Sequence, residues 1–300
     1  MKLLYIACLR NPEDFERWLV PYLEREATVY PFDYRSVANS LDEKILKTVK
    51  LLDIDSVLFM KAESVKAETI QSLNEVGINT GCWTIDDHAH PELFQKPFTH
   101  IWTPSPGLID DYKKRHKHVH ELAFYVEPAL YTESAGDFYV PIPREVSFLG
   151  TRYEGREERI TQLRQAGIDV QVYGDQWGIQ NSGRLREYSS CVALWHDSKV
   201  NLNIHQQSMV DLGALNTKMY EIPAAGGFMV TDYFPEVLER FAADEVAIYD
   251  RTSDSSLLEV VKRYLANDKE RLGVIERARK RVLTEHTSEK RVEQILREFK

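Results

Sequence analysis

The chain has 300 residues, enough for two domains, and its 43% hydrophobic and 28% charged content is that of a globular protein. A net charge of −9 argues against a protein that holds nucleic acid mainly through its phosphates, and nothing in the sequence points to nucleic acid. Cys8, Cys82 and Cys191 are far apart and odd in number, so reduced thiols are expected and no zinc spacing is present. The N-terminal apolar run is too short for a signal peptide or a membrane span, so a cytoplasmic protein without an integral membrane segment is expected.

Lys2 to Cys8 is a continuous apolar run of the kind buried on both faces of a parallel sheet. Helical spacing follows from Pro12 to Glu26, then a strand from Ala27 to Phe32. Leu41, Ile45, Val49 and Leu52 form the apolar stripe of a helix over 41–52. Strands are expected at 56–60, 78–83, 98–103 and 118–124, with helices at 65–76 and 108–115 between them. Such alternation implies βαβ units and a parallel, helix-covered sheet. Between Tyr125 and Pro143, three prolines after Tyr125 (Pro128, Pro141, Pro143) and Gly136 erase the pattern, which marks an interdomain link.

The alternation restarts with a strand over 145–150, a helix over 154–166 and a strand over 168–173. A short helix is expected at 185–190, and strands at 192–195 and 200–205. Asn216 is a suitable N-cap for a short helix that Gly226 and Gly227 end, before a strand at 228–230. Pro223 sits awkwardly inside that helix, which suggests a start later than Asn216. A helix at 235–241 and a strand at 246–249 precede an almost wholly helical remainder. The expectation is an α/β protein of two Rossmann-like domains facing a central cleft, residues 1–140 and 141–300, with a helical C-terminal tail.

Four stretches carry candidate chemistry. After the strand at 145–150, Gly150, Arg152 and Arg156 stand where backbone N–H and guanidinium groups can hold a diphosphate; the plainer reading pairs the arginines with Glu154, Glu157 and Glu158. Gly174, at the next strand end, lets a ligand approach the backbone or belongs to a turn packed by Trp177. Asp86, Asp87, His88 and His90 cluster after a strand end and suit proton transfer or hydroxyl recognition, or form an uncommitted polar loop; two Asp and two His within five residues match no common metal site. Asn203 and His205 share one face of their strand, and His205 is expected among the donor-binding residues. Glu221 is a carboxylate among apolar neighbours, and Lys218, three residues earlier, offers it an ion pair.

Taken together, Lys199–His205, Asn216–Asp232 with Pro235-Glu236, and Arg277–Thr287 resemble the C-terminal domain of CgeB-like glycosyltransferases, in the wider glycosyltransferase family 4 group with the GT-B fold. The resemblance is strongest over 146–300. It implies that Glu221 holds the ribose of a nucleotide-sugar donor, most simply a UDP-sugar. It also implies that Arg152, Arg156, Asn216 and Lys218 lie near the diphosphate, and that transfer retains configuration; with no clear DxD metal motif in the chain, transfer without a metal or other cofactor is expected. A histidine near the Trp83 strand end contacts the donor sugar in related enzymes, which points to His88; an inverting enzyme would draw its base from Asp86, Asp87 or His88. Where many relatives carry a further glutamate eight positions before the ribose-binding one, this chain has Gly213, so either Asp211 takes its place or the donor sugar is held differently. The acceptor stays open among polysaccharide, protein, small molecule and modified base. A nucleotide-sugar 2-epimerase and a non-catalytic nucleotide-sugar-binding module are the alternative readings.

Overall fold

The computed structural model describes residues 1–11, 14–37, 40–86, 93, 95–132, 143–153, 155–178, 183, 185 and 187–299. The chain packs as two compact units. One comprises Met1–Ala123, Asp211–Ala214 and Ser288–Lys300; the other comprises Phe124–Val210 and Leu215–Thr287. The sequence reading placed a single boundary at 140/141 and kept the whole helical tail with the second half. In the structure the last helix, Ser288–Phe299, packs with the first unit.

The first unit holds six parallel strands: β1 (Lys2–Ala7), β2 (Thr28–Asp33), β3 (Ser56–Met60), β4 (Asn79–Trp83), β5 (His100–Thr103) and β6 (His118–Glu121), in the order β2-β1-β3-β4-β5-β6. Every residue of β3 is buried, and four of the five in β4, as expected for strands covered by helices on both faces. Ile45, Val49, Ile70 and Leu73 of the covering helices pack with Leu4, Ile6, Val57 and Phe59 of the sheet. Gly81 is required on β4 because a Cβ there would lie 2.6 Å from Trp102 and 3.0 Å from Phe299 of the last helix.

The second unit holds five strands: β7 (Arg144–Leu149), β8 (Val170–Tyr173), β9 (Ser198–Asn203), β10 (Met229–Asp232) and β11 (Ala247–Tyr249), in the order β11-β10-β9-β7-β8. All pairings are parallel. Its core joins Val146, Phe148, Val172, Leu202 and Val230 to Ile160, Leu163 and Val261 of the helices. Both sheets wind the same way: the chain moves from its first strand to one side, then crosses back to the other. In the second unit the switch falls between β7 and β9, and a crevice at such strand ends is where open α/β sheets take ligands. The fold class is therefore the expected one, two Rossmann-like α/β units.

The strand expected at 192–195 does not form. Residues 192–195 belong to a helix, Tyr188–Asp197, that buries Leu194 and Trp195. A four-residue apolar run has no periodicity of its own, and here helix packing decided between the two geometries. Among the described residues no helix is long and apolar enough to cross a membrane.

Candidate functional site

The site grows from the ends of β7 and β9. Arg156 opens the helix Arg156–Gln165 that follows β7. Its Nε donates to the Ile204 carbonyl beyond β9 at 2.8 Å, and its Nη1 to the Thr151 carbonyl beyond β7 at 3.0 Å. One half-buried guanidinium thus bridges the switch point. Burial pushes its pKa down from the ordinary arginine value, with Tyr153, Asp232 and Tyr249 pulling the other way. Arg152 behaves differently. It is exposed and paired with Glu157, as the plainer reading expected for it.

Gly150 and Gly174 close on each other. A Cβ on Gly174, whose φ is +138°, would lie 2.4 Å from the Gly150 carbonyl oxygen. Trp177 is buried, donates its Nε1–H to that same oxygen at 2.8 Å, and packs edge-on against Phe148. These glycines serve a tight turn packed by Trp177.

The helix carrying Glu221 runs from Lys218 to Ala224. Its start is one residue later than an Asn216 cap would give, and Pro223 falls in the last turn, where its missing N–H costs one bond. Gly226, at φ +74°, and Gly227 end it, their N–H groups reaching Pro223 and Ile222 carbonyls in a Schellman arrangement. Thr217, not Asn216, occupies the N-cap position. The Asn216 amide is drawn instead to Asn203, its Nδ2 donating to Asn203 Oδ1 at 2.9 Å. Asn203 and His205 do share a face, and both reach Asn216.

The expected Lys218–Glu221 ion pair does not close. Glu221 Oε2 accepts from Thr217 Oγ1 at 3.0 Å. Among the described residues Lys218 has no hydrogen bond or ion pair, although Glu221, Arg156 and Cys191 lie near enough to act on its charge. Burial lowers the Lys218 ammonium from its ordinary value; Glu221 opposes this and Arg156 adds to it. Burial likewise raises the Glu221 carboxyl, with Lys218 and Thr217 pulling it back only in part. Cys191, on the helix Tyr188–Asp197, is pushed up to about 11 by burial and by Glu221. Among the described residues the result is a half-buried patch with one open ammonium and one carboxylate held by a single side-chain hydroxyl. Such groups are costly unless a ligand completes them.

His205 is fully buried. Its Nδ1 lies 2.7 Å from Asp232 Oδ1, and its Nε2 accepts the Asn216 backbone N–H at 3.3 Å. Asp232 also takes Arg251 Nη1 at 2.5 Å. Nothing in the sequence pattern singles out Thr217 or Arg251. Asp232 enters the sequence reading only as the end of the stretch that carries the family resemblance.

In the first unit Asp86 follows β4 and pairs with Lys61 Nζ at 2.5 Å. Asp87, His88 and His90 lie outside the described residues. Lys61 and Ala62 both take left-handed backbone, at φ +72° and +68°, and the buried Lys96 amine holds the Ala62 and Glu63 carbonyls at 2.6 and 2.8 Å. Asp211 is exposed and packs with this unit, whereas Lys218 and Glu221 belong to the other. Among the described residues no group of three or more His, Cys, Asp or Glu is disposed to hold a metal ion.

Residues 156–297 match the family model described as "Glycosyl transferase-like". No curated protein matches the sequence. Solved structures share the fold at low identity. Sucrose-phosphate synthase from Thermosynechococcus elongatus superposes with a TM-score of 0.70 at 9% identity, over 99% of this chain and 98% of that one. A glycosyltransferase from Rickettsia africae gives 0.66 at 9%, over 99% and 97%. Anabaena HepE, in complex with UDP and glucose, gives 0.67 at 11%, over 99% and 98%. The second half of this chain thus carries a glycosyltransferase-like domain, set in a chain with the GT-B fold.

Proposed function

We propose that this protein is a glycosyltransferase that moves a sugar from a nucleotide-diphosphate donor, most simply a UDP-sugar, to a hydroxyl-bearing acceptor. The observation that carries the reading is the open Lys218–Glu221 pair beside Arg156, within the stretch that matches the glycosyltransferase-like model. Glu221 accepts hydrogen bonds from the ribose hydroxyls, which replace the partner that Lys218 does not supply. Lys218 donates to the diphosphate, and Arg156 adds a fixed positive charge from the switch point. Both cations face the leaving group as its charge develops, and a desolvated ammonium acts more strongly there than in water. This neutralisation needs no cation from solution, and retention of configuration is the course assigned. Arg152 serves at the rim. From the resemblance, His88 is assigned the contact with the donor sugar, and Asp86, Asp87 or His88 is the base if the reaction inverts.

Calorimetry and a panel of UDP-sugars test this. Donor hydrolysis or transfer is the expected outcome; epimer formation points to a 2-epimerase, and binding without turnover to a sensing module. If no nucleoside diphosphate raises the melting temperature, the proposal fails. Glu221→Ala is expected to weaken donor binding roughly 10- to 100-fold, the loss of one or two hydrogen bonds to a charged acceptor, with an unchanged far-UV spectrum. Wild-type affinity in that variant would remove the ribose assignment.

A further inference from the structure

A buried Asp–His pair at the crest of an enzyme's sheet invites the role of a general base. The geometry here points elsewhere. Neither side chain is exposed. The Asn216 N–H can only donate, so His205 Nε2 must be the unprotonated, accepting nitrogen, and Nδ1 carries the proton towards Asp232. Asp232 is itself held on every side. Its carboxylate accepts from Arg251 Nη1 at 2.5 Å, Thr231 Oγ1 at 3.3 Å and the His205 backbone N–H at 3.3 Å. Arg251 is anchored in turn by Gln207 Oε1 at 2.8 Å. Phe234 packs edge-on against the imidazole, ring centroids 5.0 Å apart.

At the other end of this chain of contacts stands the turn that opens the Glu221 helix. His205 holds the backbone of Asn216, and Asn203 holds its side chain. Lys218 comes two residues later. The amide pair does not choose the register by itself. Turning both amides over exchanges donor for acceptor and leaves the Asn203–Asn216 bond intact. The imidazole is different, because only one tautomer accepts the Asn216 N–H.

We propose that Arg251, Asp232 and His205 form a positioning relay that locks His205 in its Nδ1–H tautomer and so places the Asn216–Lys218 turn for a nucleoside diphosphate. His205 is then a positioning residue that does not touch the donor. This rests on the donor-site reading given above for Lys218 and Glu221. Replacing Asp232 by asparagine sets an amide between two donors. Its oxygen cannot serve both Nδ1–H and Arg251, and an amide N–H turned to Nδ1 forces the proton to Nε2, against the Asn216 N–H.

Two measurements on the full chain test the relay. Histidine 15N spectra should show His205 as the Nδ1–H tautomer in the wild type and displaced from it in Asp232→Asn. UDP titration calorimetry should show roughly tenfold weaker binding in Asp232→Asn and in His205→Asn. His205→Gln, whose amide oxygen reaches the Nε2 position, should recover most of that loss. An Nε2–H tautomer in the wild type overturns the proposal. So does an Asp232→Asn variant that keeps both tautomer and affinity, and so does equal loss in the two His205 variants. If Asp232→Asn does not fold, the His205 pair decides. A wild type that binds no UDP defeats the donor reading, while the tautomer measurement still tests the relay.

Discussion

Two arginines four residues apart follow β7, and their surroundings set them apart. Arg152 is exposed and already paired with Glu157; Arg156 is half-buried and bonded to two carbonyls across the switch point. A surface ion pair adds little to either stability or binding. Arg152→Ala should therefore leave UDP affinity within roughly threefold of wild type, whereas Arg156→Ala should lower it by about tenfold or more and lower the melting temperature as well. Calorimetry and thermal denaturation of the two variants check this, and equal losses would return Arg152 to the diphosphate. Glu221 and Lys218 were legible as a pair from their spacing alone. That the pair stays open was not, because it depends on Thr217 taking the carboxylate.

At the level of elements, the turns after β7 and β8 are built against each other. Gly174 combines φ +138° with a Cβ position 2.4 Å from a backbone oxygen. Neither strain can relax cheaply, since the neighbour is main chain and Trp177 fixes it from the other side. Gly174→Ala should destabilise the protein by roughly 2–4 kcal/mol, read as a lower urea midpoint at unchanged slope. Most strands and helices were legible because buried parallel strands are continuously apolar and their helices repeat at 3.6 residues. Residues 192–195 were not: Val192-Ala-Leu-Trp195 fits either geometry, and only the packing of Leu194 and Trp195 in the helix settles it.

At the scale of the whole molecule, the last helix returns to the first sheet. Phe299 packs edge-on against His100 and Trp102, and Glu298 lies 3.5 Å from His120. His100 stacks on His118 across β5 and β6, ring centroids 4.6 Å apart. Burial, then the neighbouring His118 and His120, push His100 down to about 4. An unfolded histidine titrates near 6.5, so between about 6.5 and 4 the unfolded chain binds a proton that the folded chain refuses. Stability from this group is present above that window and falls as pH falls through it. The buried Glu16 and Glu221 carboxyls, both raised, act with the opposite sign. His100→Gln should accordingly flatten the loss of stability between pH 7 and about 4.5 relative to wild type, as measured by urea unfolding. A slope equal to wild type would show that His100 is not depressed.

The sequence by itself determined the two α/β halves, the place of nearly every strand, and the adjacency of Lys218, Glu221 and the glycines after them. These properties reside in short-range spacing, which a buried strand or an amphipathic helix cannot disguise. Only the tertiary structure decided that Arg156 rather than Arg152 spans the switch point. It also decided that His205 faces Asp232, 27 residues away, and that Ser288–Phe299 packs with the first unit. Each of these depends on which strands lie side by side. Strand order is set by the packing of whole sheets, and no local repeat in the chain encodes it.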